Sequence, residues 1–494
     1  MAYRPKLRGH VRVEGAMLFD DLLRREVELE GAALAVAVRL DGGEAWGAIR
    51  AGLMGDGHDV DDLDSALRGF LLLHYVEGAG DALTAKLAGV VHQTEEVPLA
   101  ILGEARFACQ GSGACCSGYA FGPLSDADVA RIDSLDLAAA FPEVTPPWFE
   151  EREGSRYLTK VDDRCVFLAA DRRCGLHGAF GAEAKPQFCR MYPLDSFGTV
   201  EGIRVVDRGT CATFGVSARS GLPLYDDMAR VSPLLDAPVL HHPVVLVEGR
   251  AWDYGLFLRF TDVAIELVQE KVGTAADTLH AIARCLDALA QAMAVCPLEP
   301  GQPDDLATAV LALDGAGWYR SPRADAAARG VRDLGALIAA LAAAVNEAID
   351  EGRARSSTPR FREFAVAAEQ LVAAIANVDD AWAAPAPAHG ADVEDALRIS
   401  MRQQLFGRHV LADGYAGAGL VRIGLIQLFA LAGARQQAGA RPLTAADLSR
   451  GHMLATRVFQ TGALDGILAD HEPRWRQLVD GLWLAARVVD RHPR

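Results

Sequence analysis

Cys109-Gln-Gly-Ser-Gly-Ala-Cys115-Cys116 sets three cysteines and two glycines within eight residues. Gly111 and Gly113, with Gly118 just beyond, let the backbone fold around a centre so that its amide groups approach sulfur. Adjacent cysteines in an extended strand do not chelate one ion well. A tight loop would aim Cys115 and Cys116 at two ions, or leave one of them spare. Downstream follow Cys165, the Cys174-Gly-Leu-His177 segment, Cys189 and Cys211, so seven of the nine cysteines fall between Cys109 and Cys211. Soft thiolates suit zinc and iron–sulfur clusters, and imidazole also suits zinc. Four ligands fill a tetrahedral zinc or one cubane cluster. The seven thiols with His177 supply eight, enough for two mononuclear sites or for one cluster with thiols to spare. Arg164, Arg172, Arg173 and Arg190 lie beside these cysteines and would offset the charge of a multi-thiolate centre. Inert packing thiols have no reason to crowd into about a fifth of the chain. Cys285 and Cys296 stand apart in helical sequence and read as ordinary core thiols.

Outward from this stretch, residues 101–225 are rich in turns and poor in long periodic segments, as where metal–ligand bonds replace a large apolar core. Ser125, followed by Asp126 and Asp128, predicts a helix start with a serine N-cap. Residues 1–80 have another texture. His10–Val13 and Met17–Leu29 suggest a hairpin, and Ala32–Leu40, Glu44–Leu53 and Asp61–Leu73 suggest helices with glycine turns between them. That is the outline of a small winged-helix domain. Residues 81–100 form a bridge. From 226 to 494 the pattern is helical: Trp252–Val272, Ala276–Ala294, Asp304–Leu313, Ala326–Ile349, Phe361–Val378 and a last block from Ala391 to Val489. Proline-rich breaks fall at Cys296–Asp305 and Ala383–Gly390. The expected fold is therefore α+β and mostly α: a winged-helix-like domain (1–80), a metal-stapled cysteine domain (101–225) and a helical C-terminal domain (226–494).

The chain has 494 residues, 51% of them hydrophobic and 23% charged, with a formal net charge of −17. Several domains are expected at this length. The negative charge argues against a nucleic-acid partner, because the surface would repel phosphates. No apolar run follows the basic N-terminal residues, so no secretory signal is expected. Leu334–Val345 and Val421–Ala434 fall short of the roughly 20 residues of a membrane span and read as core helices. A cytoplasmic protein with no membrane partner is the expectation, and there an odd number of cysteines argues against a disulfide framework. His241-His242 reads as a surface turn, and the scattered tryptophans as packing.

These cysteine segments resemble the YkgJ-like family of zinc- or iron-chelating domains. The resemblance rests on the glycine-rich segment ending in Cys115-Cys116, on Leu124-Ser125-Asp126-Ala127-Asp128, and on Cys165-Val166-Phe167-Leu168. It continues through Cys174-Gly175-Leu176-His177 and Lys185-Pro186-Gln187-Phe188-Cys189-Arg190-Met191-Tyr192-Pro193, and Cys211 stands where the family has a late cysteine. The spacing from Cys109 to Cys115 is longer than the family's common one. Ala396–Phe406 and Val421–Ala434 look similar to the flagellin lysine-N-methylase branch, which implies an iron–sulfur centre and S-adenosylmethionine-dependent methyl transfer to protein lysines. No catalytic base can be named, and no strand–glycine–helix nucleotide fingerprint is visible. Arg4-Pro5-Lys6-Leu7-Arg8 with the elements up to Tyr75 is similar to PqqD-like domains, which implies a peptide or protein substrate bound by strand addition. Asp56, Asp59, Asp61, Asp62 and Asp64 argue against DNA reading there. The expected function is a zinc or iron–sulfur protein that modifies another protein. The alternative is a non-enzymatic metal, redox or peptide-interaction module.

Overall fold

Apolar residues at three- and four-residue spacing in the second half of the chain form helices in the computed structural model. It describes residues 3–22, 25–79, 84–85, 88–89, 98–117, 120–152, 154–199, 202–227, 231–235, 244–247, 250–252, 254–313, 317–351, 358–376, 389–407, 416–439, 441–459 and 464–489. The chain is mostly helical with short strands, an α+β protein. The long helices are Tyr254–Gln269, Ala275–Ala294, Gln302–Leu311, Ala324–Asp350, Thr358–Ile375, Ala391–Phe406, Ala416–Ala438, Ala445–Phe459 and Trp475–Val489. They bury one continuous apolar core that includes Leu279, Leu286, Leu334, Leu341, Phe364, Leu420, Ile423, Trp475 and Leu482.

The Ala416–Ala438 helix is apolar on nearly every side because it lies in the middle of this core. It is long and apolar enough to cross a membrane, yet 89% of its most apolar window is buried inside the fold. Small residues let other helices approach closely. A Cβ on Gly330 would lie 2.0 Å from the Gln477 carbonyl oxygen, and one on Gly481 would lie 2.3 Å from the Gly330 oxygen. The Ala324–Asp350 and Trp475–Val489 helices therefore touch backbone to backbone. Gly330→Ala should push them apart and cost about 1–3 kcal/mol. The expected result is a lower thermal midpoint, and an unchanged midpoint would contradict this packing.

Near the N-terminus the strands Val11–Glu14, Met17–Asp20 and Arg25–Glu28 form an antiparallel three-stranded sheet, one strand more than a hairpin. Helices Gly31–Ala37, Trp46–Gly55 and Val60–Leu72 follow. Leu18, Val36, Ile49, Leu63, Leu67 and Leu71 form their shared core. The acidic run at 59–64 has a local explanation. Asp59 caps the third helix by accepting from the Asp61 and Asp62 amides, and Asp61 and Asp62 sit in its positive first turn. Asp64 pairs with Arg50 at 3.0 Å. The bridge expected over 81–100 lies largely outside the described residues, as does most of the Ala383–Gly390 break.

The cysteine region has a small apolar core of its own, formed by Phe121, Val129, Ile132, Phe141, Leu158, Phe167 and Leu176. Trp148 stacks on Phe167 with ring centroids 5.6 Å apart. The Asp126–Asp133 helix starts at Ser125, whose hydroxyl accepts from the Asp128 amide at 3.1 Å. The Leu194–Thr199 and Gly202–Asp207 strands pair as a hairpin, and Leu99–Ile101 adds to it in parallel. That hairpin leads directly into the loop carrying Cys211.

Candidate thiol centre

Gly113 sets the geometry of the first thiols. Its φ of +67° is open to glycine, and a Cβ there would lie 2.9 Å from the Arg172 carbonyl. It caps the tight 3-10 turn Ala114–Cys116, closed by the Cys116 amide donating to the Gly113 carbonyl at 3.0 Å. The turn places the sulfurs of Cys115 and Cys116 3.8 Å apart. An isolated bridge between Ser117 and Arg164 brings this turn against the strand that ends in Cys165. A second bridge, between Leu168 and Cys174, folds the next segment back, and the Gly175 amide donates to the Phe167 carbonyl at 2.7 Å. Cys174 precedes the Gly175–Phe180 helix, and Cys189 lies in the short helix Gln187–Met191.

These thiols feel one another. Cys116 is acted on by Cys115, Cys165 and Cys174, and Cys189 by Cys165, Cys174 and Cys115. Cys211 is coupled to Cys115 and to Asp207. Burial pushes the Cys165 thiol up to about 12 and drives Cys189 and Cys211 in the same direction. Within the adjacent pair, the Cys116 thiol hydrogen-bonds Cys115 and holds it below its ordinary value, with Lys185 and Arg457 adding to the effect. Cys116 itself is raised by that pairing and by burial. Of Cys115, Cys116, Cys165, Cys189 and Cys211, Cys115 alone is shifted toward its thiolate, and the others are shifted toward their neutral thiols. A soft cation would relieve the cost of ionising the others.

Cys115, Cys116, Cys165, Cys174 and Cys189 lie close enough to act on one another electrostatically, and Cys211 is acted on by Cys115. Cys109 is exposed, and His177 is exposed on the helix after Cys174. Among the described residues, no group of three or more Cys, His, Asp or Glu side chains is placed so that it could hold a metal ion as it stands. The donor chemistry fits a soft metal, but the side chains are not at bonding positions. Arg164, Arg172 and Arg173 are exposed, and Arg190 pairs with Glu183 at 2.6 Å. Lys185 and Arg457 are the cations that act on Cys115. His241-His242 lies outside the described residues.

The helical region supplies a buried polar layer behind the Cys211 loop. Arg457 and His452 project from the Ala445–Phe459 helix, and Ser400, Gln403 and Gln404 from Ala391–Phe406. Gly209 has φ +68°, and a Cβ there would lie 2.3 Å from Cε1 of His452. His452 Nδ1 lies 3.0 Å from the Gly209 carbonyl, which can only accept, so Nδ1 carries the proton. Its Nε2 then accepts from the Ser400 hydroxyl, which accepts from Gln404 Nε2 at 2.9 Å. Burial lowers His452 to about 4, so the ring is neutral. The Asp207 amide donates to Gln403 Oε1 at 3.0 Å. Asp207 Oδ1 accepts from the Gly209 amide at 2.8 Å, whereas its buried Oδ2 has no hydrogen-bond partner among the described residues. Burial pushes the Asp207 carboxyl up to about 7. Ser400, Gln403, Gln404, His452 and Arg457 carry no signal in the sequence, because a polar side chain on a periodic helix reads as part of a solvent face.

The chain matches no protein-family model, no curated protein and no solved structure.

Proposed function

We propose that the chain is a soft-metal protein whose zinc or iron–sulfur centre is held by Cys165, Cys174, Cys189 and one or both of Cys115 and Cys116. The observation that carries this is the backbone bridging that folds the Cys115-Cys116 turn onto the Arg164–Cys165 strand and brings the Cys174 segment back against Leu168, with Cys189 close enough to be acted on by Cys165, Cys174 and Cys115. Several thiols enclosed together are costly to ionise without a cation, and a soft metal is the ligand that thiolates select. Loading requires these side chains to move closer together. Cys211 is close enough to act on the centre, while Cys109 and His177 are less favoured by their exposure.

The centre is proposed to serve protein modification. The segments that resemble the lysine-methylase branch, Ala396–Phe406 and Val421–Ala434, lie in the helices Ala391–Phe406 and Ala416–Ala438, and Gln403 of the first accepts from the Asp207 amide ahead of the Cys211 loop. In that reading S-adenosylmethionine supplies the methyl group. The N-terminal sheet leaves Val11–Glu14 and Arg25–Glu28 on its two edges, which supports docking of a peptide as an added strand in a winged-helix-like module. A second reading, a thiol redox module, is favoured by the 3.8 Å approach of Cys115 and Cys116.

Anaerobic purification followed by metal analysis and an absorbance spectrum tests the proposal. A brown protein, or a colourless one with stoichiometric zinc, is the expected result. A metal-free protein that takes up neither iron with sulfide nor zinc would remove the metal reading, and reversible oxidation of that protein would leave the redox one. Labelled S-adenosylmethionine with candidate proteins tests methyl transfer.

A further inference from the structure

One cation from the helical region touches the chain beside three of the thiols. Arg457 lies in the last turn of the Ala445–Phe459 helix and is 6% exposed. Its Nε donates to the Thr210 carbonyl at 3.2 Å, next to Cys211. Its Nη2 donates to the Ala114 carbonyl at 3.2 Å, next to Cys115. The same nitrogen donates to the Tyr192 hydroxyl at 3.0 Å, in the segment just after Cys189. Tyr192 in turn donates to the Thr210 carbonyl, closing the arrangement. A guanidinium is a rigid planar fork of donors, so it can hold several oxygens in fixed relation in a way that a flexible ammonium cannot.

We propose that Arg457 is a positioning residue for the thiol centre: it clamps the segments bearing Cys115, Cys189 and Cys211 in register, so that the helical region controls whether the centre can load. This rests on the soft-metal reading. The clamp acts at neutral oxygens flanking the cysteines, and its charge also favours the Cys115 thiolate. His452 braces the same loop from one turn earlier, through the Gly209 carbonyl. A positively charged clamp is suited to a centre that gathers negative thiolates as it fills.

The test is cobalt titration of the full-length metal-free protein, followed by the sulfur-to-cobalt charge-transfer band. Groups that orient metal ligands typically contribute about 10–100-fold to affinity. Arg457→Ala should weaken cobalt binding by about tenfold or more, and added guanidinium ion at non-denaturing concentration should restore it. Arg457→Lys keeps the charge without the fork and should stay weakened. Wild-type affinity in Arg457→Ala or Arg457→Lys would overturn the proposal, as would a folded Arg457→Ala that guanidinium does not restore. If the wild-type protein itself takes up no cobalt, it is the soft-metal reading that fails. The clamp is then read from hydrogen exchange of the metal-free wild type and Arg457→Lys. Faster exchange confined to 113–117, 189–193 and 208–214 supports it, and equal exchange in those segments overturns it.

Discussion

Cys165→Ser should weaken metal binding by about a hundredfold, whereas Cys285→Ser should leave it unchanged. Cys165 is buried at the end of the Arg164–Cys165 strand, and burial holds its thiol up to about 12. As a spare packing thiol it would tolerate serine at small cost, with no effect on metal. As a ligand it must be deprotonated by the incoming metal, which a serine hydroxyl resists. Structural zinc sites bind with apparent free energies of about 10–16 kcal/mol, so losing one ligand in four removes roughly 3 kcal/mol, about a hundredfold in affinity. A metal that binds the folded state in preference to the unfolded chain stabilises the fold, so thermal stability in the presence of metal should fall as well. Cys285 lies in the core of the helical region, and its replacement should change stability without changing metal content. Metal analysis of the two variants side by side, after competition with a chelator, checks this. Equal metal in both would contradict the assignment of Cys165.

The second large effect concerns pH. The Asp207 carboxyl is raised by burial to about 7, from 3.8 when freely solvated, so folding favours its protonated form. Its contribution to stability is therefore complete below pH ~4 and is lost as pH rises through about 7. Asp207→Asn keeps an oxygen for the Gly209 amide and removes the titration. Any cost of burying the extra amide protons does not vary with pH. From the shift, the variant should gain up to about 3 kcal/mol on the wild type between pH 5 and pH 8. Urea unfolding of both metal-free proteins at the two pH values measures it. A stability difference that stays constant would mean that the Asp207 carboxyl is not perturbed.

Much of the architecture is legible residue by residue. Ser125 marks a helix start because its hydroxyl satisfies an amide that the helix leaves unpaired, and it does so here. The apolar spacing of 276–294 marks the Ala275–Ala294 helix to within one residue. The Arg25–Glu28 strand is not legible, since Arg-Glu-Val-Glu carries too little apolar alternation to show it. The parallel pairing of Leu99–Ile101 with Ile203–Val205 joins segments a hundred residues apart and has no local signature. The site divides the same way. The cysteines could be named from their crowding and from the glycines between them. Arg457, His452, Ser400, Gln403 and Asp207 could not, because their significance comes from helices packing onto a loop far away in sequence. Lys185 and Arg457, which act on Cys115, are not marked by sequence proximity in the way that Arg164, Arg172, Arg173 and Arg190 are.

X-ray absorption at the metal edge of the anaerobically loaded, full-length protein reads the coordination shell directly. At least three sulfur neighbours are predicted, at about 2.3 Å if the metal is zinc. A shell built from nitrogen and oxygen alone would mean that the gathered thiols are not what the metal binds.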